Sequence, residues 1–219
     1  MKPKLSFYIH LLYLILFCPV LIFGQGPQPI QLPEPQTEGG RPLMEVLRDR
    51  ASSREFSSDT LPVQTLSNLL WAAWGINRPE SGKRTAPSAV NRQEMDVYVI
   101  TAEGVFLYDA TIHALIPVLT EDIRALAGIQ DYVKDAPVNL VYVSDLSKMG
   151  NAEENQKLMT SFANTGFIAQ NVYLYCASEG LATVIRGMID KPALEAAMKL
   201  RPEQKVILAQ TVGYPGKTD

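Results

Sequence analysis

Apolar positions along this chain follow helical spacing first, then strand spacing, then helical spacing again. Leu43, Val46 and Leu47 recur as on one face of a helix, and Pro42 suits its first turn. Leu66, Leu69, Leu70 and Ala73 give a second helix an apolar face; it starts after Leu61-Pro62 and ends at Gly75. The middle is rich in β-formers. Met95 to Thr101 reads as a strand, Ala102-Glu103-Gly104 as a turn, and Val105 to Tyr108 as the returning strand. A third strand near His113 to Leu119 completes a meander. Asp122 to Gly128 reads as a short helix, and the unbroken apolar run Val138 to Val143 suits a central strand buried on both faces.

A long helix follows, roughly Ala152 to Ser178, with Gly180 as its cap. Its second half carries Phe162, Ile168, Ala169, Val172, Leu174, Tyr175 and Ala177, which leaves little polar surface. A helix apolar nearly all round is buried in a core or in an interface, and the sequence allows either. Leu181 to Ile185 is extended, Pro192 to Leu200 helical, and Val206 to Val212 a last strand. Helices around a mostly antiparallel sheet make an α+β fold.

The N-terminus has a different pattern. Lys2 and Lys4 precede the apolar run Leu11 to Phe23, which ends at the small residue Gly24. That layout is expected to be a secretory signal peptide over residues 1–24, and so implies an exported, periplasmic mature protein. A retained membrane anchor is the minority alternative; Pro19 interrupts the run, which falls short of the ~20 residues a spanning helix needs. Residues 25–40 hold Pro27, Pro29, Pro33, Pro35 and Gly39-Gly40 and read as a Pro/Gly-rich linker, with the folded domain over 41–219.

Charge and cysteine content narrow the function. The chain carries 20 Lys+Arg against 23 Asp+Glu, a formal net charge of −3, so no broad basic field is present for nucleic acid. Past the leader, Cys176 is the one cysteine and His113 the one histidine. This excludes an intrachain disulfide and argues against a zinc site. Cys176 reads as a small buried hydrophobe, His113 as a packed or surface residue, and Trp71 and Trp74 as core or interface.

Two segments carry candidate chemistry. Arg50, Ser52 and Arg54 alternate, so in an extended segment all three point to one side. Arginine donates a planar pair of hydrogen bonds suited to phosphate. A solvated loop has the same composition. In the second segment, Pro87-Ser88-Ala89 is compact enough for a flat ring to approach the backbone, and Asn91 can both donate and accept towards a polyhydroxyl chain. A polar turn entering a strand is the equal alternative there. No glycine-rich phosphate loop or dinucleotide fingerprint occurs.

Taken in order, these motifs resemble the FMN-dependent nitroreductase superfamily. The basic-x-Ser-x-basic-x-Phe entry matches Arg50 to Phe56 and the Pro-Ser-x-x-Asn segment matches Pro87 to Asn91. Asp135-Ala136-Pro137-Val138, Gln170-Asn171, Glu179-Gly180-Leu181 and Val212-Gly213-Tyr214-Pro215 are similar as well. The Arg84 to Ser88 segment, followed by the strands from Gly104 to His113, looks closest to the SagB-type dehydrogenase branch. The resemblance spans residues 43 to 216. It implies an intertwined homodimer with FMN in a groove between subunits, a small-molecule substrate and electron or hydride transfer through flavin N5. On that resemblance Arg50, Ser52 and Arg54 hold the phosphate and the pyrimidine edge. Pro87, Ser88 and Asn91 lie by the ring and ribityl chain, from the second subunit in one arrangement. Arg186 and Gly187 pass backbone near N5, and Lys217 is the basic residue after Pro215 that could reach phosphate. Arg186 stands where some relatives carry an acid, which is expected to alter the substrate pocket. With so short a tail, Arg50 and Arg54 are expected to carry most of the anchoring. Export would separate the protein from NAD(P)H and imply another redox partner. The alternative class is a flavin-binding or degenerate interaction protein that keeps the fold without turnover.

Overall fold

Every residue of Val138–Asp145 is buried, and the rest of the molecule is arranged to bury it. In this computed structural model, which describes residues 28–216, that segment is an interior strand of an antiparallel sheet. The expected leader at residues 1–24 and Lys217 lie outside the described residues. In chain order the elements are β1 (Ile30–Gln31), α1 (Leu43–Asp49), α2 (Val63–Trp74), β2 (Ile76–Arg78), β3 (Lys83–Arg84), β4 (Met95–Thr101), β5 (Gly104–Asp109), β6 (Ala114–Leu119), β7 (Val138–Asp145), α3 (Glu154–Glu179), β8 (Ala182–Arg186), α4 (Lys191–Ala197) and β9 (Gln204–Gly213). Among the described residues the large sheet runs β1-β6-β5-β4-β7-β9-β8, and β2 pairs with β3 in a separate hairpin.

Strand alternation divides the core in two. Val97, Val99, Leu140, Tyr142 and Ile207 face α2 and α3, against Leu69, Leu70, Ala73, Trp74, Ile168, Val172 and Cys176. Tyr98, Ile100, Val141, Val143 and Ala209 face the other way, towards Leu194, Met198, Ala127 and Val133. Cys176 is fully buried, and burial pushes its thiol pKa up, as a packed hydrophobe requires. Among the described residues no helix is long and apolar enough to cross a membrane.

Three expectations change. The helix expected over Asp122 to Gly128 is only a 3-10 turn at Arg124–Leu126. The Asp122 carboxylate accepts from the backbone N–H and the guanidinium of Arg124, which fixes a tight turn in a segment too short to nucleate an α-helix. The apolar face of α1 is not a core face: only Val46 is buried, while Leu43, Met44 and Leu47 are exposed. The Pro-rich linker is part of the fold. Ile30 and Gln31 pair with Leu115 and Ala114, and Leu32 is 3% exposed in the core. Prolines hold this stretch extended, which an edge strand tolerates.

His113 fastens that arm. Its Nε2 lies 2.7 Å from Ser67 Oγ and 3.1 Å from the Pro33 carbonyl, while Nδ1 lies 2.9 Å from the Tyr108 hydroxyl. Ser67 Oγ donates to Pro33 O at 2.6 Å, so the arrangement suits a neutral ring that donates from Nε2 and accepts from Tyr108 at Nδ1. Burial lowers the His113 pKa from its ordinary 6.5, against smaller opposing effects of Pro33 and Glu34. With the folded pKa depressed, the stabilisation is complete above about pH 6.5 and is lost as pH falls below it. The stability difference between the wild type and His113→Leu, read as Tm at each pH, is therefore expected to shrink between pH 7.5 and 5. A difference independent of pH over that window would contradict it.

Candidate functional site

The last strand of the sheet, β8, has no partner strand on its outer side among the described residues. Backbone groups there need other partners. The chain leaving α1 supplies them: Ser53 N–H donates to Thr183 O at 3.0 Å, and the Tyr173 hydroxyl accepts from Ile185 N–H at 3.0 Å. The same hydroxyl lies 2.8 Å from Ser52 Oγ, and the Arg50 guanidinium rests over the Tyr173 ring, 5.1 Å from its centroid. Further on, Ser57 N–H donates to Tyr214 O and Gly216 N–H to Glu55 O, and Phe56 bridges to Pro215. Residues 50–57 are thus held between the edge of β8 and the strand exit at 214–216.

Charge is sorted across this region. Asp49 is claimed from both sides by Arg48 and Arg41, whose hydrogen bonds bring its pKa down to about 2. Arg50 and Arg54 are left without a carboxylate or hydrogen-bond partner among the described residues; Arg54 is exposed and Arg50 half-buried. Two free guanidiniums beside a serine hydroxyl form an anion-binding donor set. At the end of β8, Gly187 and Met188 are exposed. A Cβ on Gly187 would meet only Leu208 Cδ2, at 3.5 Å, so nothing in this chain requires glycine there. The open backbone suits close approach by another molecule.

Arg186 turns inward instead of lining this opening. Its side chain is buried: Nη1 donates to Ala127 O at 2.6 Å, and Nη2 donates to Asn139 Oδ1 at 2.7 Å and Thr211 Oγ1 at 2.8 Å. The expectation that its side chain reshapes a substrate pocket therefore gives way to a structural position, which leaves only its backbone near the opening.

The second segment is elsewhere. Arg84 donates to Trp74 O and Gln93 Oε1, both at 2.8 Å, and stacks on the Trp74 ring. Ser88 Oγ accepts from Gln93 N–H at 3.0 Å, and Asn91 Oδ1 from Gln93 Nε2 at 3.2 Å. Val90, Asn91 and Gln93 all have positive φ, and Val90 is 83% exposed. Pro87, Ser88 and Asn91 thus sit on a protruding, strained ridge. The ridge leads into β4, three strands from β8. One chain brings Ser52 and Arg50 to Tyr173 beside Ile185, and among the described residues no contact brings Pro87, Ser88 and Asn91 to them.

Two features escaped the sequence reading. Tyr173 is not singled out by the sequence; its signal would have been a hydroxyl on a helix face that otherwise packs on the sheet. A cavity of about 550 Å³, lined by Arg41, Trp71, Asn171, Tyr175 and Glu179, opens between the arm, α2 and the end of α3. The outer face of α3 also exposes Met159, Phe162 and Phe167 alongside Ala163 and Gly166.

The pattern of the nitroreductase family matches residues 47–214, from the last turn of α1 to the exit of β9. The chain belongs to the nitroreductase family. A candidate nitroreductase of Methanocaldococcus jannaschii, MJ1384, is 30% identical over 169 residues, covering 73% of this chain and 85% of that protein. The crystal structure of a candidate nitroreductase from Ralstonia eutropha JMP134 superposes with a TM-score of 0.84 at 40% identity, covering 89% of this chain and 93% of that one. A candidate nitroreductase of Desulfovibrio desulfuricans, crystallised with FMN, shares the fold at 23% identity, with a TM-score of 0.58 over 83% of this chain and 92% of its own. The nitroreductase fold thus agrees with the expected mainly antiparallel sheet flanked by helices.

Within this family member, the Tyr173 hydroxyl is the joint between the arginine loop and β8. Tyr173→Phe is expected to cost about 1–3 kcal/mol of stability, because Ser52 and the Ile185 N–H lose a partner. Chemical denaturation of the variant against the wild type measures this. An unchanged midpoint would show the joint to be dispensable.

Proposed function

We propose that this chain is an FMN-dependent oxidoreductase that passes electrons or hydride to or from a small organic substrate. The observation that carries this reading is the pair of guanidiniums without a carboxylate, Arg50 and Arg54, flanking Ser52, which Tyr173 ties to Ile185, two residues before the open backbone of Gly187. The donor set fits a flavin mononucleotide: two cations and a hydroxyl for a phosphate dianion, and an uncrowded glycine for a flat ring. When bound, the flavin supplies the redox chemistry; the chain supplies position and electrostatics. Arg50 and Arg54 hold the phosphate by charge and forked hydrogen bonds. Ser52 adds a hydroxyl whose place Tyr173 fixes. Gly187 lets the ring approach the end of β8, whose backbone is kept in line by the bond from Ile185 N–H to Tyr173.

A homodimer completes the site in this reading. The exposed Met159, Phe162 and Phe167 of α3, with Leu43, Met44 and Leu47 of α1, form the apolar surface a second copy would cover. The ridge with Pro87, Ser88 and Asn91 would then be contributed by the second copy. The Arg84 to Ser88 segment favours the SagB-type dehydrogenase branch as the finer assignment. Export follows from the leader read in the sequence, and with it a redox partner other than NAD(P)H; stopped-flow reduction by NADH at the turnover rate would overturn that part.

Purified protein is expected to be yellow. Arg50→Ala and Arg54→Ala are each expected to weaken FMN binding tenfold or more, at about 1.5–3 kcal/mol per charge-assisted hydrogen bond. Titration of apoprotein with FMN, followed by flavin fluorescence, measures this. Colourless protein that takes up no added FMN would instead support a non-catalytic member of the fold. Phe162→Lys combined with Phe167→Lys is expected to yield monomers in analytical ultracentrifugation, with loss of bound flavin. A double variant that stays dimeric would move the interface away from α3.

A further inference from the structure

Arg186 is a buried cation without a counter-ion. Its residue is 5% exposed, and no carboxylate lies within ion-pair distance among the described residues. All its partners are neutral: the Ala127 carbonyl, the Asn139 amide oxygen and the Thr211 hydroxyl, which itself donates to Asn139 Oδ1 at 2.7 Å. Its Nε has no partner at all. Burial lowers its pKa to about 10, which still leaves it charged at neutral pH.

The fold makes room for this charge. A Cβ on Gly128 would stand 2.0 Å from Arg186 Nη1, so glycine at 128 is what admits the guanidinium. The following stretch reaches back to the strand exit, where Ile129 N–H donates to Met188 O at 3.3 Å. The cradle is therefore built directly against the Arg186-Gly187-Met188 backbone. An unpaired buried charge is costly, and apolar or ion-paired residues serve packing better. In a low-dielectric interior its field reaches neighbouring groups with little screening.

We propose that the uncompensated guanidinium of Arg186, held in the cradle of Gly128, Asn139 and Thr211, acts through the protein on a flavin seated at Gly187 and favours its reduced, negatively charged form. The inference rests on the FMN reading above. Reduction by two electrons with uptake of one proton from solvent leaves the ring one negative charge richer, and a fixed cation nearby stabilises that charge. Arg186 touches neither ring nor substrate in this proposal; it sets the potential at which the site works.

The test is the midpoint potential of the FMN-loaded protein, measured by anaerobic titration with dithionite as electron donor and a reference dye. Arg186→Met removes the charge. Asn139→Asp leaves the arginine in place and neutralises it with a carboxylate of the same shape. Both are expected to disfavour reduction at least tenfold, a potential about 30 mV more negative for a two-electron couple. A normal potential in both variants overturns the proposal. So does a shift in Arg186→Met alone, which would assign the effect to lost packing; should Arg186→Met fail to fold, Asn139→Asp decides by itself. Flavin absorbance of the wild type separates this from the parent reading: a protein without bound flavin refutes the FMN site, whereas a yellow protein with unshifted variants refutes only the role of Arg186.

Discussion

The outer edge of β8 is the constraint on which the site depends. A strand at the end of a sheet presents backbone donors and acceptors that need partners. Here the partners are the Ser53 N–H, bonded to Thr183 O, and the Tyr173 hydroxyl, bonded to Ile185 N–H. Meeting that need holds residues 50–57 along the edge, with Ser52 at the Tyr173 hydroxyl and Arg50 over its ring. The positions of the arginines follow from backbone satisfaction rather than from attraction between charges.

Charge is then distributed by what remains. Arg41 and Arg48 share Asp49, Arg124 closes on Asp122, and Arg201 reaches Asp145 at 2.6 Å. Each of these pairs is at least partly exposed, where ion pairs contribute about 0–1 kcal/mol. Arg50, Arg54 and Arg186 have no such pair among the described residues, and neither do Arg78, Arg84 and Arg92 near the second segment. Arg50 and Arg54 keep solvent and can wait for an anion at little cost. Arg186 cannot, and it is retained in a cradle of neutral oxygens.

Most of the fold was legible because its signals were long. The β4–β5–β6 meander, the fully buried β7 and the 26-residue α3 each carry enough period or apolar run to declare themselves. The alternation of Arg50, Ser52 and Arg54 points to the candidate anion site for the same reason: three residues two apart. What stayed hidden was short or non-local. A two-residue β1 has no period, and Leu32 is buried only because β6 and His113 lie across from it. The β2–β3 hairpin is equally brief. Tyr173 could not be told from a packing aromatic without knowing that β8 ends the sheet beside it. Nor does a sequence show which way Arg186 turns; its cradle comes from residues 127, 139 and 211, far apart in the chain.

The two faces of α3 explain why its sequence read as apolar nearly all round. One face, with Ile168, Ala169, Val172 and Cys176, closes the core against the sheet. The other, with Met159, Phe162, Ala163, Gly166 and Phe167, is exposed among the described residues, apart from Lys191 lying over the Phe162 ring. The sheet order adds a second incompleteness. Strands lie about 4.8 Å apart, so the ridge leading into β4 starts about 14 Å from β8, too far for its short side chains to join Arg50 and Ser52 around one phosphate-bearing ligand. The dimer proposed above would account for both the exposed helix face and the remote ridge. A second copy packed on α3 would hide the phenylalanines and carry its own Pro87–Asn91 ridge towards Gly187. Association and cofactor binding would then be one event rather than two, since the surface burying Phe162 and Phe167 would be the one that completes the proposed groove.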